Sequence, residues 1–173
     1  LNENVLKAKS IKTVLYDQSI AGTATLLSRE NGAAALLTCA HVVDFPDTII
    51  AYLLSDDGSG TGYIESISIK DKQTTYAAGF PDGGELEIIV SDRNLDLAII
   101  GKKYTIELLN RLKIFMYPFG SGKSLEWGTF VYLFGYPLNY KMITKAIVSS
   151  PNLDDNGSFL TDAVINRGFS GGI

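Results

Sequence analysis

Three residue types in this chain could together form a nucleophile, its base and an acid that orients the base: Ser170, His41 and Asp96. Ser170 sits in Gly168-Phe169-Ser170-Gly171-Gly172 near the chain's end. Glycine has no Cβ, so such a stretch can fold tightly and approach a ligand closely. It can also aim two N–H groups at one point beside the hydroxyl, which an oxyanion hole requires. A plain glycine-rich hairpin turn uses the same residues without chemistry, and G-x-S-G-G alone favours that reading. A serine hydroxyl needs a base, and the base needs an orienting acid. The chain holds one histidine, His41, within Thr38-Cys39-Ala40-His41-Val42-Val43-Asp44. A lone histidine is ordinarily a core residue satisfied by a backbone carbonyl. Asp96 interrupts the apolar run Leu95-Asp96-Leu97-Ala98-Ile99-Ile100, where a buried carboxylate must be paired or hydrogen-bonded. His41 is its obvious partner. A strand-opening aspartate that caps a turn describes Asp92 better than Asp96.

Other chemistries find less support. Cys39 and His41 would share a face if they lay on one strand, but nothing near them supplies an oxyanion hole for a thiolate nucleophile. With one cysteine there is no intramolecular disulfide, so stability must come from packing. One cysteine and one histidine also fall short of the three or four ligands a zinc site needs, so no metal is expected. Gly120-Ser121-Gly122-Lys123-Ser124 suggests a phosphate loop, but the pattern wants glycine at position 117, which is Tyr117, followed by Pro118. Nucleotide binding is rejected, and this stretch reads as a surface linker between two lobes.

A net charge of −4 and a pI near 4.9 argue against a broad nucleic-acid-binding face. No apolar run reaches the roughly 18 residues that span a bilayer. Leu1-Asn2-Glu3-Asn4 does not open a signal peptide, and because the chain begins without methionine a missing leader says nothing about its address. At 173 residues the chain suffices for one compact domain, or for one core split between two small lobes.

The elements that must position these residues read as short strands. Residues 1–9 form a helical or frayed lead-in, and Ser10 to Tyr16 a first strand. Gly22 to Ser28 and Ala33 to Thr38 are strands joined across Asn31-Gly32, a strong hairpin signal. Asp47 to Leu54 is another. Tyr63 to Lys70 alternates polar and apolar residues as a half-buried strand does. Residues 73–84 are turn-rich, Glu85 to Ser91 is a further strand, and Thr105 to Leu112 is a short helix or a connection. Thr129 to Phe134, Met142 to Ser149 and Ser158 to Thr161 complete the set. Short strands at this spacing, with scarcely a helix, argue for an all-β barrel or sandwich.

With these pieces placed, the chain resembles the trypsin-like serine peptidases, and within them the HtrA (Deg) branch. Five blocks carry the resemblance in the family's order: Gly22-Thr23-Ala24-Thr25-Leu26; Leu37 to Val43 around His41; Asn94 to Ile99 around Asp96; Leu133-Phe134-Gly135-Tyr136-Pro137-Leu138; and Thr161 to Gly172 around Ser170. The resemblance implies an all-β, two-barrel chymotrypsin-like fold whose second barrel is cut short at the C-terminus of this chain. Residues 1–119 would be the N-terminal barrel with its lead-in and linker, and residues 120–173 a partial C-terminal barrel. It implies His41 as general base and acid, Asp96 as the orienting acid and Ser170 as nucleophile. The N–H groups of Gly168 and Ser170 would form the oxyanion hole. The chain order His, Asp, Ser is that of the chymotrypsin-like fold. The implied activity is hydrolysis of peptide bonds in polypeptides, unfolded proteins among them, through an acyl-enzyme without cofactor or metal. The resemblance is also compatible with a homo-oligomer, and it favours a bacterial periplasmic or other extracytoplasmic address.

The chain departs from the family at three places. Phe169 stands where a small polar residue is usual, and is expected to reshape the mouth of the site. Cys39 replaces a commoner Ala or Asn, and is expected to be a buried small hydrophobe. The chain also stops three residues after Ser170, where the family continues with strands that wall the specificity pocket. Val164 would by analogy lie at the base of that pocket, and poor activity of this chain by itself is expected. Two alternatives stay open: a degenerate peptidase fold acting as a binding or scaffold module, and an esterase using the same site.

Overall fold

A computed structural model describes residues 12–80 and 84–173. The expected lead-in over residues 1–9 lies outside the described residues, as do the first two residues of the expected strand Ser10 to Tyr16. That strand is not present in its described part: residues 12–20 carry no regular structure. Two compact units divide the chain, one holding residues up to Ile20 with Phe45–Gln73, the other Ala21–Asp44 with Thr74–Ile173.

The larger unit is organised by a five-stranded antiparallel sheet. Strand β1 (Thr25–Ser28) turns into β2 (Ala33–Thr38) through Asn31 and Gly32, with φ of 53° and 73°, and Ala33 N–H donates to Glu30 O at 3.0 Å. Two consecutive positive φ values make this the tight hairpin turn that Asn-Gly favours. A single-turn helix, α1 (Ala40–Val43), follows β2. Further on come β5 (Thr75–Tyr76), β6 (Glu85–Asp92), β7 (Leu97–Lys103) and the helix α2 (Ile106–Arg111); β5 falls within the stretch expected to be only turns, of which residues 81–83 are not described. The sheet order is β1-β2-β7-β6-β5, which makes β2 and β7 neighbours and brings the ends of these two strands side by side.

Alternation decides which residues face the core. On β2 the buried positions are Ala34, Leu36 and Thr38; on β7 Ala98 and Ile100 face the same way. They pack with Ala40 and Val43 of α1, Leu86, Tyr104 and Leu109 of α2. Burial of this small, largely aliphatic cluster is the main driving term for the unit.

After residue 120 the expected linker carries one 3₁₀ turn, Gly122–Ser124. A second antiparallel sheet then forms from β8 (Phe130–Gly135), β9 (Met142–Ser150) and β10 (Leu160–Thr161), in the order β10-β9-β8. The strand expected over residues 158–161 is therefore only its last two residues. On the outer edge of β8, Ile173 exchanges hydrogen bonds with Phe134 at 2.6 and 3.2 Å. Ala146, Val148 and Phe169 are buried here, whereas Phe130, Tyr132 and Ile143 remain exposed.

The smaller unit holds the hairpin of β3 (Thr48–Leu54) and β4 (Gly60–Ile69), secured by Lys70 Nζ on Asp47 at 2.9 Å and on Phe45 O at 2.8 Å. Among the described residues, no helix is long and apolar enough to cross a membrane.

Candidate active site

The site begins at the end of β2. Cys39 is extended (φ −76°, ψ 141°), and the chain then closes one helical turn, with Asp44 N–H donating to Ala40 O at 2.7 Å. His41 therefore lies on a helical turn and not on a strand, so the strand geometry that a Cys39–His41 pair would need is not present. Asp96 ends the turn between β6 and β7 with φ of 53°, a left-handed conformation that aspartate tolerates better than most residues. Asp92 caps that turn, accepting from Asn94 N–H at 2.9 Å and Leu95 N–H at 3.0 Å, as the sequence suggests. Asp44, at the end of α1, accepts a two-pronged bond from Arg93 (2.7 and 2.9 Å) and a third bond from Ser91 Oγ at 2.8 Å. This latch ties α1 to the 93–96 turn, and so ties His41 to Asp96.

Asp96 holds the start of α1 at three points, two of them on His41. Its backbone O accepts from Ala40 N–H at 3.1 Å, Oδ1 from His41 N–H at 2.9 Å, and Oδ2 lies 2.7 Å from His41 Nδ1. Burial alone would raise the Asp96 carboxyl. The hydrogen bonds from the His41 backbone and ring, the ring's charge and the Cys39 thiol outweigh it, and the pKa falls below the usual carboxylate range. An ionised carboxylate only accepts, so Nδ1 carries the ring proton and Nε2 keeps its lone pair. An imidazole fixed this way can take up a proton at Nε2.

Cys39 differs from expectation. It is half-buried and lies beside Asp96, not sealed in the core. Burial, then the Asp96 charge, push its thiol up, against a smaller opposing pull from the Gly171 N–H. A thiol so placed stays protonated near neutrality and serves as a donor, not as a nucleophile. The ligating atoms of Cys39, His41 and Asp96 lie within 4.8 Å of one another, so these are the residues that could meet a cation. Asp96 is already engaged by His41 at both carboxylate oxygens.

Ser170 lies in the turn following Gly168, with Phe169 buried at 6% exposure and Ser170 half-buried. Gly168 (φ 103°) and Gly171 (φ 83°) both adopt backbone that a side chain would strain. A Cβ on Gly171 would strike Thr23 O and Thr38 Oγ1, so this turn is pressed against the end of β2, three residues before His41. The structure thus brings His41 and Asp96 into direct contact and anchors the Ser170 backbone nearby. Among the described residues, Ser170 Oγ makes no hydrogen bond to His41. Phe169 N–H is used by Asn166 O at 3.2 Å and Gly172 N–H by Phe169 O at 2.7 Å, whereas the N–H groups of Gly168 and Ser170 have no acceptor among the described residues.

Beside Ser170 is a hollow of about 190 Å³ lined by Leu133, Phe134, Ile165, Phe169, Ser170 and Gly172. Phe169 is among the lining residues, and its ring packs inward against Gly135. Val164 does not line it; at 78% exposure it faces solvent, and the neighbouring Ile165 takes the lining position. Leu133 and Ile165 lie within the fourth and fifth family blocks, but inside them they carry no signal of their own beyond being apolar. The Asp44–Arg93 latch also went unread, since a charge pair 49 residues apart has no spacing rule.

Fold and site together define a chymotrypsin-like all-β protein, and the trypsin-like peptidase domain model matches residues 22–173. The chain belongs to that family. No curated protein matches it by sequence. Among solved structures its fold is that of the HtrA-type branch. It is 23% identical to a variant of the HtrA-type protease AlgW with a tripeptide, with a TM-score of 0.52 over 87% of this chain and 41% of that one. The same variant with a decapeptide gives 23%, 0.53, 87% and 37%. The serine endoprotease from Yersinia pestis gives 25% identity and a TM-score of 0.51 over 91% of this chain and 46% of that one. The chain thus spans less than half the length of these solved structures.

Proposed function

We propose that this chain forms part of a serine endopeptidase acting through Ser170, His41 and Asp96, with residues 1–119 holding the first barrel together with its lead-in and linker, and residues 120–173 a partial second barrel. The observation that carries the reading is the grip of Asp96 on His41, with carboxylate contacts of 2.9 Å to the backbone N–H and 2.7 Å to Nδ1. It fixes the tautomer that general-base catalysis by Nε2 needs. In this reading Nε2 takes the Ser170 hydroxyl proton as Oγ attacks the scissile carbonyl. The N–H groups of Gly168 and Ser170, which have no acceptor among the described residues, stabilise the oxyanion. The imidazolium then protonates the leaving amine, and water releases the acyl group by the same route in reverse. Polypeptides are the substrate class, and the hollow beside Ser170 suits an apolar side chain of modest size. The two peptide-bound HtrA-type neighbours support this substrate class by likeness of fold alone.

The absence of a Ser170–His41 hydrogen bond favours, as a second reading, a degenerate peptidase fold that binds without cleaving. A fluorophosphonate probe separates the two, because it reacts only with an activated serine. Labelling that maps to Ser170 and disappears in Ser170→Ala supports the enzyme. An unlabelled but folded chain supports the binding module. Turnover of casein against that of small esters then separates a peptidase from an esterase.

A further inference from the structure

Thr23, a buried threonine two residues before β1, holds the Ser170 turn at two points. It is 5% exposed. Its backbone N–H donates to Ser170 O at 2.7 Å, and its hydroxyl donates to Gly168 O at 2.7 Å. The same hydroxyl accepts from Tyr136 N–H at 2.8 Å, and Thr23 O accepts from Thr38 Oγ1 at 2.7 Å. These bonds explain why β1 begins at Thr25 and not at Gly22: the backbone at Thr23 is paired to the serine turn instead of to β2.

We propose that Thr23 is a positioning residue for the oxyanion-stabilising turn, acting through the carbonyls of Gly168 and Ser170; this rests on the serine-peptidase reading above. In a trans peptide the C=O and N–H point in opposite directions, so pinning a carbonyl fixes where its peptide's N–H points. The peptide carrying Ser170 N–H lies between the two whose carbonyls Thr23 holds. Its own carbonyl, Phe169 O, is taken by Gly172 N–H at 2.7 Å. Three consecutive peptides are therefore fixed in orientation, and two of the three anchors are Thr23. With Gly168 at φ 103° and Gly171 at φ 83°, the turn has no side chains of its own to stiffen those positions. The restraint has to come from outside, and it comes from a hydroxyl 145 residues earlier in sequence. Thr38, at 2% exposure, locks Thr23 in turn.

The hydroxyl is separable from the backbone N–H. Thr23→Val keeps the shape and the N–H bond to Ser170 O while removing the bonds to Gly168 O and Tyr136 N–H. Thr23→Ser keeps the hydroxyl and drops a methyl. In the 173-residue chain, fluorophosphonate labelling of Ser170 is expected to slow by about tenfold to a hundredfold in Thr23→Val, less than outright deletion of an oxyanion donor. On a chromogenic peptide the loss should fall on kcat, with KM within about threefold, because the turn acts on the transition state more than on ground-state binding. Thr23→Ser should stay within about threefold of the parent in both. Hydrogen exchange at the Tyr136 amide should accelerate in Val and not in Ser.

Equal labelling of parent and Thr23→Val overturns the positioning role and leaves the peptidase reading standing. A loss expressed wholly in KM also overturns it. A parent chain that does not label overturns the peptidase reading, and the inference with it. Should Thr23→Val not fold, Thr23→Ser decides: a folded Ser variant that labels tenfold slower than the parent refutes the role assigned to the hydroxyl.

Discussion

Asp96→Asn tests the central geometry directly, because it removes charge while keeping shape. The carboxylate now accepts from His41 N–H at 2.9 Å and from Nδ1 at 2.7 Å. An amide can accept at only one of those points and must donate at the other. If the amide oxygen keeps the backbone N–H, its NH₂ faces Nδ1 and forces the ring proton onto Nε2, where it blocks the base. If the amide turns over, two N–H donors face each other near 2.9 Å and the His41 amide loses its acceptor. Losing such a bond costs about 1–3 kcal/mol, toward the low end here because Asp96 is half-exposed and water can intervene. At 1.4 kcal/mol per factor of ten, the wrong tautomer is favoured by roughly tenfold. Loss of the negative charge beside the developing imidazolium adds to this, so a total fall of about 10⁴ in kcat is expected.

The assay is kcat and KM on a chromogenic peptide, with ¹⁵N shifts of the imidazole reporting the tautomer. The stability effect should be small and depend on pH. The folded-state pKa of Asp96 is depressed, so its stabilisation is present above the unfolded value of about 3.9 and is lost as pH falls through the lower folded value. Parent and Asn melting temperatures should thus differ at pH 6 and converge as the pH falls below the ordinary carboxylate range. An Asn variant within tenfold of the parent, or one retaining the Nδ1 proton, would refute the reasoning.

Ser170→Ala should abolish turnover, by about 10⁶-fold in analogous triads, with an unchanged melting temperature; residual cleavage above 1% of the parent would assign the chemistry elsewhere. Cys39 should react slowly with iodoacetamide at pH 7 and faster only above the ordinary thiol range, since burial and Asp96 hold the proton on; rapid alkylation at pH 7 in the folded chain would show the thiol is not where its raised pKa requires. Casein should be cleaved slowly by these 173 residues, because Phe130 and Tyr132 of β8 and Ile143 of β9 leave apolar sheet surface exposed. If the reading frame continues past Ile173, the longer form should exceed it by tenfold or more, and equal specific activity would refute that reading.

Much of the local structure was legible from residue types alone. Asn31-Gly32 made the tight turn it signals, the turns on either side bounded β2, and Asp92 capped the turn its position suggested; alternation marked β4 as a strand, but its residues are almost all exposed and not half-buried. The glycines around Ser170 announced backbone that no other residue adopts easily, and the five family blocks point to His41, Asp96 and Ser170 from residue types alone. These are short-range signals, governed by φ/ψ preference and by the period of the strand.

What only the tertiary structure decided depends on contacts across long sequence separations. The partnership of His41 with Asp96 spans 55 residues, and its two-point geometry follows from β2 and β7 being neighbours in the sheet. Helix α1 is a single turn, too short to hold itself together, and exists because Ala40, Val43 and the Arg93 latch fix it to the core. Cys39 became a donor instead of a core hydrophobe once Asp96 arrived beside it. Which of the adjacent apolar residues Val164 and Ile165 lines the hollow beside Ser170 was likewise decided by the folded chain, and it is Ile165. Thr23 looks in sequence like an ordinary strand residue. Its hold on Gly168, 145 residues away, appears only when the Ser170 turn folds back onto it and its hydroxyl becomes the nearest donor for a buried carbonyl.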